Sequence, residues 1–310
     1  MTRLARRAAY GFTAWLFGRA THTMITTELH AHVFMDGINY KESAARHRDG
    51  VDRDAIRSVL GEYQKRGITL VRDGGDHYGA CSYAKSIAKD FGITYLMPAF
   101  AIYKAGNYGG IVGLSYSDLA EYRALVARAR QSGADFIKIM VSGILDFDQF
   151  GVVSETDYTL DLVRELVHIA HEEGFAVMAH ASGTERVRMA AEAGVDSIEH
   201  GYYMDSETMD IMREKHLLWV PTAVTSANLL GKGRFDEDAV ARILDAHKAA
   251  ISEAYGKGVL IGCGSDAGAF GVLHGSGVLE EYALLCNLLG DGCEAMLLSA
   301  ESFIRSKFSK

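Results

Sequence analysis

Residues 175–201 read FAVMAHASGTERVRMAAEAGVDSIEHG, and two periodicities alternate within them. Phe175–Ala181 is an apolar run of strand length, Thr184–Ala193 sets apolar residues at helical spacing, and Ser197–Gly201 returns to a strand-like run. A strand, a helix and a second strand in succession imply parallel pairing through a crossover. The alternation extends both ways. Further strand-like runs are Ile25–His32, Gly67–Asp73, Ile93–Phe100, Asp135–Ser142, Leu217–Thr222 and Val259–Asp266. Helical spacing fills Asp52–Arg66, Ser117–Gln131, Asp157–Glu173, Ser206–Lys215 and Glu237–Tyr255. Asp52, Ser117, Thr184 and Asp205 stand where N-caps belong, and Arg66-Gly67 and Glu173-Gly174 read as helix ends. Eight strand–helix units in about 260 residues predict an α/β chain closed into a (β/α)8 TIM barrel rather than an open sheet.

The composition excludes several alternatives. The chain has 310 residues, a formal charge of −8, 48% hydrophobic and 23% charged residues, which is an ordinary globular balance. It lacks the basic footprint of a nucleic-acid binder, so a small-molecule substrate is the expected partner, with a homo-oligomer open. With 33 Gly and 2 Pro, the chain is neither collagen-like nor proline-rich. Cys81, Cys263, Cys286 and Cys293 are scattered without a CxxC pair, poor material for a disulfide framework or a cysteine zinc site. Reduced thiols and a cytoplasmic setting follow. No segment has the ~18 uninterrupted apolar residues of a membrane span. At the amino end, Arg3, Arg6 and Arg7 precede an apolar stretch from Ala8 to Phe17, and Gly18-Arg19-Ala20 resembles a cleavage site. Tyr10, Gly11 and Thr13 dilute that stretch, so residues 1–24 read as an N-terminal extension lying on the domain, with an exported protein as the alternative. No linker divides the chain, and residues 1–310 are expected to form one domain.

Chemistry gathers at the carboxyl ends of the predicted strands. The first ends in His30-Ala31-His32, whose imidazoles share a side because strand residues two apart face the same way. The fourth carries Lys138 in the apolar run Phe136–Met140, where an ammonium is costly unless paired or neutral. The fifth supplies His180, the sixth His200 and the eighth Asp266. Singly, each reads as well as a satisfied core residue. Jointly, they occupy the face on which barrels carry active sites, and imidazole with carboxylate suits a divalent ion such as zinc.

With these motifs in this order the chain resembles the metal-dependent amidohydrolase superfamily, in the branch related to imidazolonepropionase and the prolidase-like dipeptidases. The matching stretches are His30-Ala31-His32, Gly67–Asp73, Gly133–Ile139 followed by Ser142-Gly143, Ala179-His180-Ala181, Ile198-Glu199-His200-Gly201, and Gly264–Gly268 followed by His274-Gly275, spanning Ile25 to Leu289. The resemblance implies two divalent ions, zinc among the candidates, sharing a bridging hydroxide. His30, His32 and Asp266 would bind the first, His180 and His200 the second, and a carbamylated Lys138 would bridge them. Asp266 would then act as the acid and base in the cleavage of an amide in an N-acyl amino acid, a dipeptide or a cyclic amide. Tyr103, Lys104 and Tyr108 in the loop after the third strand, with Tyr202, Tyr203 and His274, are the expected substrate contacts.

Departures from the family pattern accompany the match. Only 29 residues precede His30, so the accessory β-sandwich of most relatives is expected to be largely absent. Ile144 replaces the glycine usual after Ser142-Gly143, which bears on the substrate. Lactone or ester hydrolysis on the same site is an alternative, as is a non-catalytic barrel that binds a ligand or partner. A mononuclear deaminase is disfavoured by Lys138. Arg72-Asp73 reads as an internal ion pair.

Overall fold

The computed structural model describes residues 25–309, so the segment read as an N-terminal extension lies outside it. The strands are β1 (Thr27–Ala31), β2 (Leu70–Asp73), β3 (Thr94–Leu96), β4 (Ala101–Lys104), β5 (Gly113–Tyr116), β6 (Ile137–Met140), β7 (Val177–Ala181), β8 (Ser197–His200), β9 (Leu218–Val220) and β10 (Leu260–Ile261). They form a parallel sheet in the order β1-β2-β3 and another in the order β10-β9-β8-β7-β6-β4-β5. Two seams join the sheets into a closed wall. At one, Leu29 N donates to Cys263 O (3.1 Å) and Asp266 N to His30 O (2.7 Å). At the other, Asp135 N donates to Met97 O (2.8 Å). The result is the TIM barrel expected from the alternation.

The third wall position differs from the expectation. Instead of one strand over Ile93–Phe100, β3 stops before Pro98, which has no N–H to offer, and Ala99 turns through a φ of 66°. The chain then resumes as β4 with β5 beside it. Among the described residues every strand belongs to this wall or to β5, and none builds a separate sandwich.

The helices are α1 (Tyr40–Arg46), α2 (Arg53–Lys65), α3 (Ala80–Ile87), α4 (Leu119–Gln131), α5 (Leu160–Glu172), α6 (Thr184–Ala193), α7 (Ser206–Glu214), α8 (Val224–Ala227), α9 (Glu237–Lys257), α10 (Ser276–Leu289) and α11 (Cys293–Lys307). Asp52 caps α2 through Ala55 N and Asp205 caps α7 through Thr208 N, as expected. Two caps shift by one residue, because Asp118 caps α4 in place of Ser117 and Gly183 precedes α6 where Thr184 was expected. No helix among the described residues is long and apolar enough to cross a membrane, and all four cysteines are free thiols.

A bulge on β1 prepares the site. Glu28 and Ala31 pair with Val71 and Asp73, so three steps along β1 match two along β2. Strict alternation would send neighbouring residues to opposite faces. The extra residue lets Leu29 enter the apolar floor while His30 also turns inward.

That floor is closed from below. Leu29, Leu70, Leu96, Phe136, Met178, Leu218 and Val220 pack with Ala300, Ile304 and Phe308 at the end of α11. The Phe308 ring lies 5.4 Å from Phe136, with the Arg72 guanidinium 4.9 Å above it. Phe308→Ala opens this plug and should destabilise the protein by about 3–5 kcal/mol, seen as a lower urea midpoint. A loss below about 1 kcal/mol would mean that Phe308 does not close the barrel.

Candidate active site

Six predicted residues converge at the carboxyl end of the barrel. Lys138 Nζ lies 3.2 Å from His30 Nε2 and 3.5 Å from His32 Nε2. Asp266 Oδ1 is 3.6 Å from the first of these nitrogens and 3.8 Å from the second. Ligand atoms of His30, His32 and Asp266 all fall within 4.8 Å of one another, a spacing that can hold one cation. The His180 ring centroid is 4.6 Å from that of His200, which in turn is 5.0 Å from that of His30.

Each imidazole is held by one nitrogen and leaves the other for the centre. His30 Nδ1 meets Glu199 Oε2 (2.7 Å), and His200 Nδ1 meets Thr222 Oγ1 (2.9 Å). His32 Nδ1 donates to Gly75 O (3.1 Å) and His180 Nε2 to Gly143 O (3.0 Å). A carbonyl oxygen only accepts, so His32 carries its proton on Nδ1 and His180 on Nε2. Lone pairs remain on His32 Nε2 and His180 Nδ1. Burial, reinforced by the charge of Lys138, drives the pKa values of His30 and His32 well below normal, and burial lowers that of His180 to about 4. His200 is lowered by burial and by its histidine neighbours. The four rings are neutral at pH 7, the form in which imidazole binds a metal. Such partners on the outer nitrogen fix ring orientation in metal sites generally.

Glu199 is itself restrained. Arg72 Nη2 donates to its Oε1 (2.8 Å), Ser197 Oγ donates to the same oxygen (2.6 Å), and Arg72 Nε donates to Leu29 O (2.7 Å). The expected Arg72–Asp73 ion pair is therefore corrected. Neighbouring strand residues face opposite ways, so Arg72 points into the barrel while Asp73 accepts from Val33 N (2.9 Å), Gly75 N (2.6 Å) and Tyr95 Oη (2.8 Å). Asp73 thereby orders the loops after β1 and β2. Burial pushes its carboxyl up to about 7.

Strained backbone marks the same ring. His200, Thr222 and Asp266 have φ values of 68°, 51° and 58°, which non-glycine residues seldom adopt. Gly74 answers a different need, since a Cβ there would stand 2.8 Å from Lys138 Nζ and nearer still to the His32 ring. The absence of a side chain keeps the centre open.

Of the six expected substrate contacts, Tyr108 alone faces the centre, its ring 5.6 Å from that of His180. Burial, with the charge of Asp266, raises its hydroxyl to about 12. The other five have partners within the chain. Lys104 Nζ sits 2.5 Å from Asp157 Oδ2, and Tyr103 lies against the backbone of Gly109. Tyr202 Oη bonds Thr225 and Ser226 (2.9 and 3.0 Å), and its ring stacks on His247. Tyr203 Oη accepts from Gly151 N (2.8 Å). Both nitrogens of His274 are taken, by Tyr63 Oη (2.9 Å) and Met35 O (2.8 Å), so it ties the loop after β10 to α2 and to the loop after β1. Sequence reasoning passed over Arg72 and Glu199 as partners and missed Thr222. Their placement on barrel strands was the available signal.

Residues 25–306 match the amidohydrolase family model, and the chain belongs to that family. The ochratoxinase of Aspergillus niger is 30% identical over 172 residues, which cover 52% of this chain and 34% of that protein. The match thus spans about a third of the curated relative. The crystal structure of that ochratoxinase superposes with a TM-score of 0.72 at 20% identity, covering 87% of this chain and 68% of the other. A Xaa-Pro dipeptidase with methionine bound in its active site gives 0.72 at 22% identity, covering 92% and 76%.

Gly74→Ala places a methyl group between His32 and Lys138, and bound zinc after reconstitution should fall to less than half of the wild-type content while the thermal melt stays cooperative. Wild-type zinc content in this variant would show that the cation site lies elsewhere.

Proposed function

We propose that this amidohydrolase hydrolyses the carbon–nitrogen bond of an amide, in an N-acyl amino acid, a dipeptide or a cyclic amide, with two divalent ions, zinc for preference, at the barrel mouth. The observation that carries the reading is the set of four buried neutral histidines, each restrained through one nitrogen with the other turned to the centre, where Lys138 Nζ meets those of His30 and His32. Such a donor set fits a borderline cation and has no evident purpose in an apolar core. His30, His32 and Asp266 would hold one ion and His180 and His200 the other. Lys138 would join them as its carbamate, formed when the neutral amine takes up CO2 and releases a proton. Burial favours that neutral amine by lowering the lysine pKa.

Divalent ions held there would polarise a carbonyl and bring the pKa of a bound water toward neutrality. The chain supplies the remaining chemistry. Asp266, its side chain 17% exposed beside the histidines, can accept a proton on its carboxylate and deliver it to the departing amine nitrogen. Tyr108 sets its ring 5.6 Å from that of His180, and its buried hydroxyl, which feels the charge of Asp266, can donate to a substrate oxygen. The dipeptidase named among the structural neighbours supports a dipeptide or a similarly small amide.

Zinc-loaded protein should cleave members of a panel of dipeptides, N-acyl amino acids and cyclic amides, losing the activity to a chelator and regaining it with zinc. Asp266→Asn should lower kcat by roughly 10²–10⁴ at full metal occupancy, the usual range for general acid–base catalysis. Full activity after chelation, or turnover of lactones with none of amides, would refute the assignment.

A further inference from the structure

We propose that the substrate carries a large apolar group, aliphatic or aromatic, which lies on an apolar rim of the barrel mouth built around the hairpin 144–154. The inference rests on the amide-hydrolase reading above and names the substrate class for that site.

The loop after β6 folds into an irregular hairpin. Leu145 and Val153 form an antiparallel bridge, Asp146 N donates to Val152 O (3.0 Å) and Ser154 N to Ile144 O (2.9 Å). Its inner side is apolar and covered, since Leu145 is buried with Tyr202 and Ile243, and Phe147 and Val153 pack against them. A hairpin half in water ordinarily turns its other side polar. Here the outer side carries Ile144 and Val152, which are 50% and 41% exposed, while Phe150 at the turn, 38% exposed, lies 5.4 Å from the Tyr203 ring with the Arg242 guanidinium 4.3 Å over it. Asp146 and Asp148 are engaged in the turn, accepting from Asp148 N and Asp236 N, each at 2.8 Å.

The uncovered side is continuous with the site. Ile144 directly follows Gly143, whose carbonyl oxygen holds His180. Elsewhere on the rim, Ile38 after β1 and Leu273 after β10 are 66% and 49% exposed. Their loops are stitched together by Gly37 N to Gly268 O (3.2 Å) and Gly271 N to Gly37 O (2.7 Å). Leu230, in the loop between the short helix α8 and α9, is 38% exposed. These six are among nine exposed large apolar residues in the described chain; five stand in loops that directly follow barrel strands, and Leu230 follows the short helix α8 beyond β9. Exposed apolar residues scattered singly need no explanation, but a concentration around one mouth marks a binding surface. The polar stretch of the mouth, where Lys104 and Asn107 meet Asp157, is closed on itself by ion pair and hydrogen bond, so it offers no comparable counter-charge.

The test is a pair of homologous series on zinc-loaded protein: N-acyl glycines from acetyl to decanoyl, and N-acetyl amino acids from alanine to phenylalanine. Along at least one series kcat/KM should rise by about tenfold or more, the equivalent of roughly two buried methylenes. Ile144→Ser combined with Val152→Ser should flatten that rise. Calorimetry with the acids alone should show decanoate binding wild type more tightly than acetate does, and that preference should shrink in the double variant. If amides are cleaved at rates indifferent to apolar size, the hydrolase reading stands and this inference falls. If no amide is cleaved, both fall. If the double variant abolishes self-association seen by sedimentation but leaves the rise intact, the rim is a contact with a second copy and the inference is overturned.

Discussion

A guanidinium and a carboxylate are held out of water inside the barrel, Arg72 against Glu199 at 2.8 Å, and the arrangement of the site follows from keeping that pair satisfied. Removing one member of such a pair leaves an uncompensated charge and typically costs about 3–5 kcal/mol. Arg72 must therefore find every partner it has, in Glu199, Ser197 and the Leu29 carbonyl. Glu199 has an oxygen left over, and His30 Nδ1 takes it. The histidine orientation at the mouth is thus inherited from charge balance deeper in the barrel.

The layers beneath and above serve the same constraint. Phe308 and Phe136 seal the floor under Arg72, so the pair lies in a dry interior where its electrostatics are strong. Above it, backbone carbonyls of Gly75 and Gly143 and the hydroxyl of Thr222 each fix one ring. Those acceptors lie in the segments just past β2, β6 and β9, neighbours in the wall to the strands that carry the histidines. Parallel pairing of adjacent strands is what brings them within reach. The left-handed backbone at His200, Thr222 and Asp266 falls at or just past three of these strand ends.

The barrel and its chemical face were legible because they follow from periodicity and from where unusual residues fall along it. His30, His32, Lys138, His180, His200 and Asp266 could all be located at strand ends without knowing a single contact. The bulge that lets Leu29 and His30 both point inward was not legible, because alternation alone forbids it. The break at Pro98 was visible as a residue but not as the start of an added pair of strands. The partners of Lys104, Tyr202, Tyr203 and His274 were not legible for a common reason: a polar side chain near the mouth looks unpartnered until its partner, usually far away in sequence, is known. Tyr63 with His274 is the clearest case, 211 residues apart. Glu199 escaped notice because it stood beside a more conspicuous histidine.

The central claim is that four restrained histidines, Lys138 and Asp266 form one cation-binding centre. Crystals grown with zinc and carbon dioxide, measured on both sides of the zinc absorption edge, test it directly. Two anomalous peaks per chain are expected, one against His30, His32 and Asp266 and the other against His180 and His200, with additional density on Lys138 Nζ reaching both. Zinc peaks confined to the protein surface, with Lys138 unmodified and the histidine nitrogens unligated, would contradict it.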